Sequence, residues 1–208
     1  MKFALLTICL FSVAFFSISC GGNSTTANKN APPTVTKGVA PIADNEIAVI
    51  EMETPAYGTI KIELYSNIAP KAVARFKELA SEGFFNGTSF HRINRSVIQG
   101  GDPNSKDSDP TNDGTGGSTK PNVEAEFSDI DYDTGIVGAA RSQAFNSANS
   151  QFFITLKREP AFDDKYTIFG KVIEGMNNVR TISGVQPKEG ERPVEAVRIK
   201  SVTIQPKG

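Results

Sequence analysis

Apolar residues along the chain fall into short period-two runs bounded by turn residues, and into two stretches where the spacing lengthens to that of a helix. Residues 58–64 (GTIKIEL) put Ile60, Ile62 and Leu64 on one face and polar residues on the other, the pattern of a half-buried strand. Residues 47–53 (IAVIEME) are equally β-prone, and residues 55–58 between them read as a turn, so the pair predicts a hairpin. Over residues 70–82 (PKAVARFKELASE) the period changes. Val73, Phe76, Leu79 and Ala80 share a helical face, Pro70 suits the first turn, and Gly83 can end the helix. Further short strands are predicted over 135–140 (GIVGAA), 151–156 (QFFITL), 167–172 (TIFGKV) and 194–204, with a second short helix over 175–182. Many short strands and two separated helices predict a mainly β fold, a closed antiparallel barrel capped by the two helices.

Two stretches break the structural monotony. Residues 90–102 (FHRINRSVIQGGD) embed a fixed cation, Arg92, and a carboxamide, Gln99, among β-prone apolar residues, and residues 150–154 (SQFFI) are expected to fold beside them. Phe152 and Phe153 must face opposite sides of a strand, so one enters the core while the other is free to line a groove. An apolar groove with one strong hydrogen-bond donor suits a neutral, partly apolar peptide. Residues 103–121 follow, rich in Asp, Asn, Ser, Thr and Gly and without periodicity. They form a long loop, which in a compact domain is usually functional or mobile.

The amino-terminal end differs in kind. Residues 1–19 carry Lys2, then an apolar run and small residues, the layout of a secretory signal. Cys20 followed by Gly21 resembles the lipobox of bacterial lipoproteins, with Ser17 where that motif usually has an aliphatic residue. The expectation is a cysteine that becomes lipidated, placing the protein in the bacterial cell envelope on a lipid anchor; plain secretion and an uncleaved anchor are the alternatives. Residues 20–45, poor in large apolar side chains, read as a flexible tether, and residues 46–208 as the folded domain.

Composition narrows the chemistry. The chain of 208 residues has 38% hydrophobic and 22% charged residues and a formal net charge of −1; such a balance offers nucleic acid no basic face. Its two cysteines, Cys9 and Cys20, lie outside the predicted domain, which excludes an internal disulfide there, and with the single histidine His91 they leave no ordinary zinc site. No cofactor is expected. His91 is expected to be buried and hydrogen-bonded. The DGTGG run lacks the order of a phosphate loop.

The motifs FHRI, VIQGGD, DGTGG, NSANSQFFI and KYTIFGKV follow one another as they do in cyclophilins, and the chain resembles a cyclophilin-type peptidyl-prolyl cis/trans isomerase from about residue 47 to residue 205. The resemblance implies an eight-stranded barrel and an isomerase acting on Xaa-Pro bonds, here of exported proteins whose folding it assists. Arg92 takes the place of the catalytic arginine, and Gln99 that of a residue that orients it or binds a backbone group of the substrate. Phe153 is implied as the floor of the proline pocket, Gln151 as its polar edge, Val97, Phe162 and Tyr166 as further walls, and the backbone at Ala140 and Arg141 as the partner of the peptide main chain. The sequence also departs from the family pattern. Six residues separate Arg92 from Gln99 where seven are usual, Ser96 replaces a pocket phenylalanine, Tyr166 replaces a frequent histidine, and Ala161 replaces the tryptophan of cyclosporin-sensitive members. The implied partners are proline-containing peptides, with weak cyclosporin binding and a monomeric state. Two other functions fit the same residues: a non-catalytic proline-peptide binding module, and a surface interaction lipoprotein using the 103–121 loop.

Overall fold

The computed structural model describes residues 32–185 and 191–208. In chain order the strands are β1 Val35–Thr36, β2 Glu46–Met52, β3 Thr59–Leu64, β4 Arg92–Ile93, β5 Val97–Gly100, β6 Phe127–Ser128, β7 Ile136–Ala139, β8 Phe152–Thr155, β9 Ile168–Glu174 and β10 Ile199–Pro206, with helices α1 Pro70–Ser81 and α2 Met176–Ser183. Eight strands form one sheet in the order β10-β2-β3-β9-β7-β8-β5-β4, while β1 and β6 form a separate parallel pair. Every neighbouring pair in the large sheet is antiparallel.

The sheet curls but stays open, so the closed barrel expected from the sequence is corrected to a half-barrel. β10 is not paired with β4; residues 87–90, just before β4, approach it through an isolated bridge between Ser89 and Arg198. At that seam the chain is irregular. Backbone bonds cross it from Gly87 N to Ile199 O (2.8 Å), Ile199 N to Thr88 O (2.7 Å) and Phe90 N to Val197 O (2.9 Å), and the Arg198 guanidinium adds bonds to the carbonyls of Gly87 (2.9 Å), Ser105 (3.1 Å), Lys106 (3.1 Å) and Asp107 (3.2 Å), which tie the seam to the following loop.

The alternation in β3 is realised as predicted: Ile60, Ile62 and Leu64 are fully buried. They join Ile50, Ile98, Phe152 and Ile154 in the core enclosed by the sheet, and α1 closes it with Ala72, Val73, Phe76, Leu79 and Ala80. Phe152 is the aromatic centre of this core, with edge-on contacts to Phe76 (5.5 Å between centroids), Phe85 (5.8 Å) and Phe90 (6.0 Å). Such pairs add about 0.5–1.5 kcal/mol each beyond the area they bury.

Part of the predicted tether is docked against the domain. β1 pairs with β6, the Gly38 amide donates to Asp129 (2.8 Å), Ile42 and Ala40 share the Asn67 carboxamide (2.9 Å each), and the Asp44 amide donates to the Leu64 carbonyl (2.8 Å). Backbone bonding, which composition does not report, decides this. Residues 1–31, with the leader, Cys20 and the first part of the tether, lie outside the described residues.

The 103–121 loop is also tied down. Asp102 is fully buried and its carboxylate accepts from the amides of Asn104 (2.8 Å), Gly114 and Gly116 (3.2 Å). A Cβ on Gly116 would collide with that carboxylate, so the glycine is required by close approach. His91 packs against Gly114 and is buried, but neither ring nitrogen has a hydrogen-bond partner among the described residues. The burial expected from the sequence is found, but the expected hydrogen bond is not made in good geometry; the Ser89 backbone is a polar neighbour of the ring. Burial pushes the imidazole below its ordinary value, against the opposing pull of Asp102.

Two measurements test this account. Phe152→Ala removes the centre of the core and should cost about 3–5 kcal/mol, read by urea unfolding; a loss below about 1 kcal/mol would remove Phe152 from that role. His91 takes up its proton less readily when folded, because burial lowers its pKa, than when unfolded, where it titrates near pH 6.5. Stability should therefore fall as pH drops below about 6.5, at up to ~1.4 kcal/mol per pH unit, and His91→Gln should flatten that slope between pH 7 and 5. Equal slopes in both proteins would disprove it.

Candidate active site

The site starts from a tight hairpin. The Asn94 side chain accepts from the amides of Ser96 (2.8 Å) and Val97 (2.9 Å), and the Asn94 amide donates to the Val97 carbonyl (3.1 Å). The turn thus uses only Arg95 and Ser96 at its tip, and Arg92 falls directly opposite Gln99. The six-residue spacing is what sets this register, since Cβ atoms of directly opposed residues lie only about 4.5–5.5 Å apart.

Register then carries the site across the sheet. Gln99 is opposite Phe153, Phe153 opposite Gly138, and Gly138 opposite Ile168, so one row on the outer face runs Arg92, Gln99, Phe153, Gly138, Ile168. Phe153 belongs to a second apolar cluster with Val97, Tyr132, Ile136 and Ile168, on the face opposite the main core. Tyr132 stacks on its ring (5.7 Å, 24°), and Phe162 (5.6 Å) and Tyr166 (5.7 Å) meet it edge-on. A Cβ on Gly138 would strike the Phe153 ring and the Tyr132 hydroxyl. The glycine leaves the space that the stacked pair occupies. Tyr132 is fully buried with its hydroxyl unpartnered, and burial raises its pKa well above the ordinary value; it is a neutral backing plate.

A polar chain runs beside this apolar floor. Arg92 Nη1 donates to Gln99 Oε1 (3.3 Å), Gln99 Nε2 to Gln151 Oε1 (2.9 Å), and Gln151 Nε2 to the carbonyls of Gly114 (3.0 Å) and Gly116 (2.8 Å). Both carboxamides thereby have a fixed orientation, and the loop organised by Asp102 becomes the far wall of a polar recess of about 210 Å³ lined by Gln99, Gln151, Ala140 and Arg141. On the other side, Arg92 Nε donates to Glu191 Oε2 (2.6 Å). Arg92 Nη2 has no partner among the described residues, and the side chain is 46% exposed.

The residues named from sequence are brought together unequally. Arg92, Gln99, Gln151 and Phe153 form one connected surface. Phe162 and Tyr166 flank it, half-buried, while Val97 is buried beneath it. The Ala140 amide bonds to the Gln151 carbonyl (2.9 Å). The Arg141 guanidinium lies over the Tyr166 ring (4.6 Å) and donates to the carbonyls of Lys165 (2.8 Å) and Ser142 (2.9 Å), so it clamps the wall of the recess. Ala161 is an exposed methyl in the turn Pro160–Phe162. Sequence reasoning missed Tyr132, Gly138, Asn94 and Glu191. Only Asn94 carried a signal, as a turn-forming residue between two β-prone runs. Among the described residues no group of three His, Cys, Asp or Glu side chains could hold a metal.

The chain matches the family model described as cyclophilin type peptidyl-prolyl cis-trans isomerase/CLD over residues 49–204. It is 40% identical over 153 residues to a probable peptidyl-prolyl cis-trans isomerase of Brucella suis, covering 71% of this chain and 78% of that protein. It is 39% identical over 154 residues to peptidyl-prolyl cis-trans isomerase-like 1 of Mus musculus, covering 72% and 88%. A crystal structure of a Cryptosporidium parvum cyclophilin type peptidyl-prolyl cis-trans isomerase, in the presence of the dipeptide Ala-Pro, superimposes with a TM-score of 0.69 at 30% identity, covering 77% of this chain and 99% of that one. With the half-barrel and the Arg92 row in place, these matches establish that the chain belongs to the cyclophilin-type peptidyl-prolyl cis-trans isomerase family, a family of isomerases.

Proposed function

We propose that the protein turns Xaa-Pro bonds with Arg92 as the catalytic group, Phe153 as the floor under the proline ring, and the Gln99–Gln151 chain as the support that keeps the guanidinium in place. The observation that carries this reading is the single cross-strand row that holds Arg92 and Phe153 on one face, two strands apart. Adjacent strands lie about 4.8 Å apart, so a proline over Phe153 brings its nitrogen within reach of a long arginine side chain.

The chemistry needs no proton transfer and no nucleophile. The barrier to rotating a peptide bond is about 18–20 kcal/mol because the nitrogen lone pair is delocalised into the carbonyl. In the twisted state that pair localises on the prolyl nitrogen and becomes a hydrogen-bond acceptor. A donor aimed there, such as Arg92 Nη2, stabilises the twisted form more than the planar one, which is what accelerates a reaction. The polar recess beside Gln151 suits the main chain preceding the proline. The related Cryptosporidium protein was crystallised in the presence of Ala-Pro, which supports a proline-peptide ligand here.

The leader-like residues 1–19 and Cys20 support an exported, lipid-anchored enzyme that assists folding of envelope proteins, where uncatalysed exchange takes tens of seconds or longer. A recognition module without turnover is the second reading, and Ser96 at the hairpin tip favours it, since no aromatic side chain closes the pocket from β5.

Arg92→Ala should reduce kcat/KM for an Ala-Pro or Phe-Pro peptide by about 10²–10³-fold, read by NMR exchange spectroscopy, with the peptide still bound. Full activity in that variant would remove the arginine from catalysis, and binding without turnover in the unaltered protein would favour the recognition module. For the anchor, a clickable fatty acid fed to the producing bacterium should label the protein and not Cys20→Ala; an unlabelled protein would end the lipoprotein reading.

A further inference from the structure

We infer that Glu191 is a positioning residue for Arg92, holding the guanidinium in the plane that presents Nη2 to the bound peptide. The inference rests on Arg92 acting at the prolyl nitrogen. Glu191 Oε2 accepts from Arg92 Nε at 2.6 Å and from Asn94 Nδ2 at 3.1 Å. Gln99 takes Nη1 from the opposite edge of the same guanidinium at 3.3 Å. Bonds on two edges stop rotation about the terminal torsion, and the nitrogen left between them is Nη2.

Such a brace is needed here. Arg92 lies on a two-residue edge strand with its side chain half exposed, and an arginine in that setting samples many rotamers. Asn94 serves twice, closing the β4–β5 turn through Oδ1 and reaching Glu191 through Nδ2. The carboxylate is thus fixed to the same turn that places Arg92 opposite Gln99.

The backbone at 191 adds an independent observation. Glu191 has φ of 67°, in the left-handed region that residues with a Cβ adopt rarely. The chain keeps an acid in a conformation suited to glycine, and its neighbour Arg192 is directed to the carbonyls of Thr111 and Asp113, at 3.4 Å each. Stability is not a sufficient reason for the arrangement. The two side chains are 46% and 45% exposed, and ion pairs that open to solvent contribute little. Placing a carboxylate beside the catalytic cation also reduces its positive field. That loss is tolerable because the acceptor in the twisted amide is a neutral nitrogen, for which aim matters more than net charge. Partial burial raises the Glu191 carboxyl, but the bonds from Asn94 and Arg92 outweigh it and hold the group below its usual range, so the brace stays ionised at neutral pH.

The test uses the full chain with Glu191→Ala, Glu191→Gln and, in parallel, Arg92→Ala. Glu191→Ala should lower kcat for an Ala-Pro peptide about tenfold while KM changes less than about twofold. Glu191→Gln keeps an acceptor for Nε and should recover most of the loss. The Arg92 Nε proton should be protected from exchange in the unaltered protein and in Glu191→Gln but broadened in Glu191→Ala while the backbone amides of β5 and β8 keep their protection, a local signature that a general loss of structure would not give. Unchanged or faster turnover in Glu191→Ala overturns the inference; faster turnover would mean that the carboxylate competes with the peptide for the guanidinium. If Arg92→Ala is inactive while Glu191→Ala is not impaired, the Glu191 role falls and the arginine mechanism stands. If Arg92→Ala is fully active, both fall together.

Discussion

Successive side chains of a strand point to opposite faces, and in β8 that alternation supports both halves of the molecule. Phe152 goes inward to meet Phe76, Phe85 and Phe90, and Phe153 goes outward to meet Tyr132, Phe162 and Tyr166. A slip of one residue would exchange the two rings and carry every other side chain of the strand to the wrong face. The core and the outer aromatic cluster around Phe153 are therefore specified by the same pairing. Stability gained by seating Phe152 is also accuracy in placing Phe153.

The polar side of the site depends on a different device, a buried charge. Asp102 is removed from water, and its carboxylate is satisfied by amides of the loop that follows it. Burying an ionised group without such partners would be costly, so the loop has to fold around it. Once folded, the loop offers the carbonyls of Gly114 and Gly116 to Gln151. A stretch with no periodicity thereby orients two carboxamides and, through them, the Arg92 guanidinium. Arg198 closes the arrangement from the sheet seam, joining the loop base to Gly87.

These two devices differ in how far they could be read from sequence. The hairpin, α1, and the pairing of residues 90–102 with 150–154 were legible, because they follow from periods of two and 3.6 and from turn residues. The family motifs then pointed to Arg92, Gln99, Gln151 and Phe153. The open seam was not legible, since closure depends on whether residues 87–90 extend into a strand, and they reach β10 through a few backbone bonds and one isolated bridge instead. Residues 32–45 were read as tether from composition, yet they dock through backbone groups and the Asn67 side chain. Tyr132 sits in an acidic, turn-rich stretch and is recognised only when the fold stacks it on Phe153. Arg141 looked like a groove residue because its backbone is one, while its guanidinium is taken up by the carbonyls of Lys165 and Ser142.

An enzyme of this kind has to solve a problem of aim. Rotation about the peptide bond breaks no bond and moves no proton, so the only useful contact is one made in the twisted state and weak in the planar states. In the free protein Arg92 is half exposed, where a charge interaction at 4 Å is worth about 1 kcal/mol in bulk water. In the proposed binding mode, a peptide lying across Phe153 would exclude that water and raise the value of the same donor, provided it already points at the nitrogen. Reorganising a flexible arginine after binding would consume much of the gain. Under the proposed mechanism, the contacts from Gln99 on one edge of the guanidinium and Glu191 on the other would complete that reorganisation during folding.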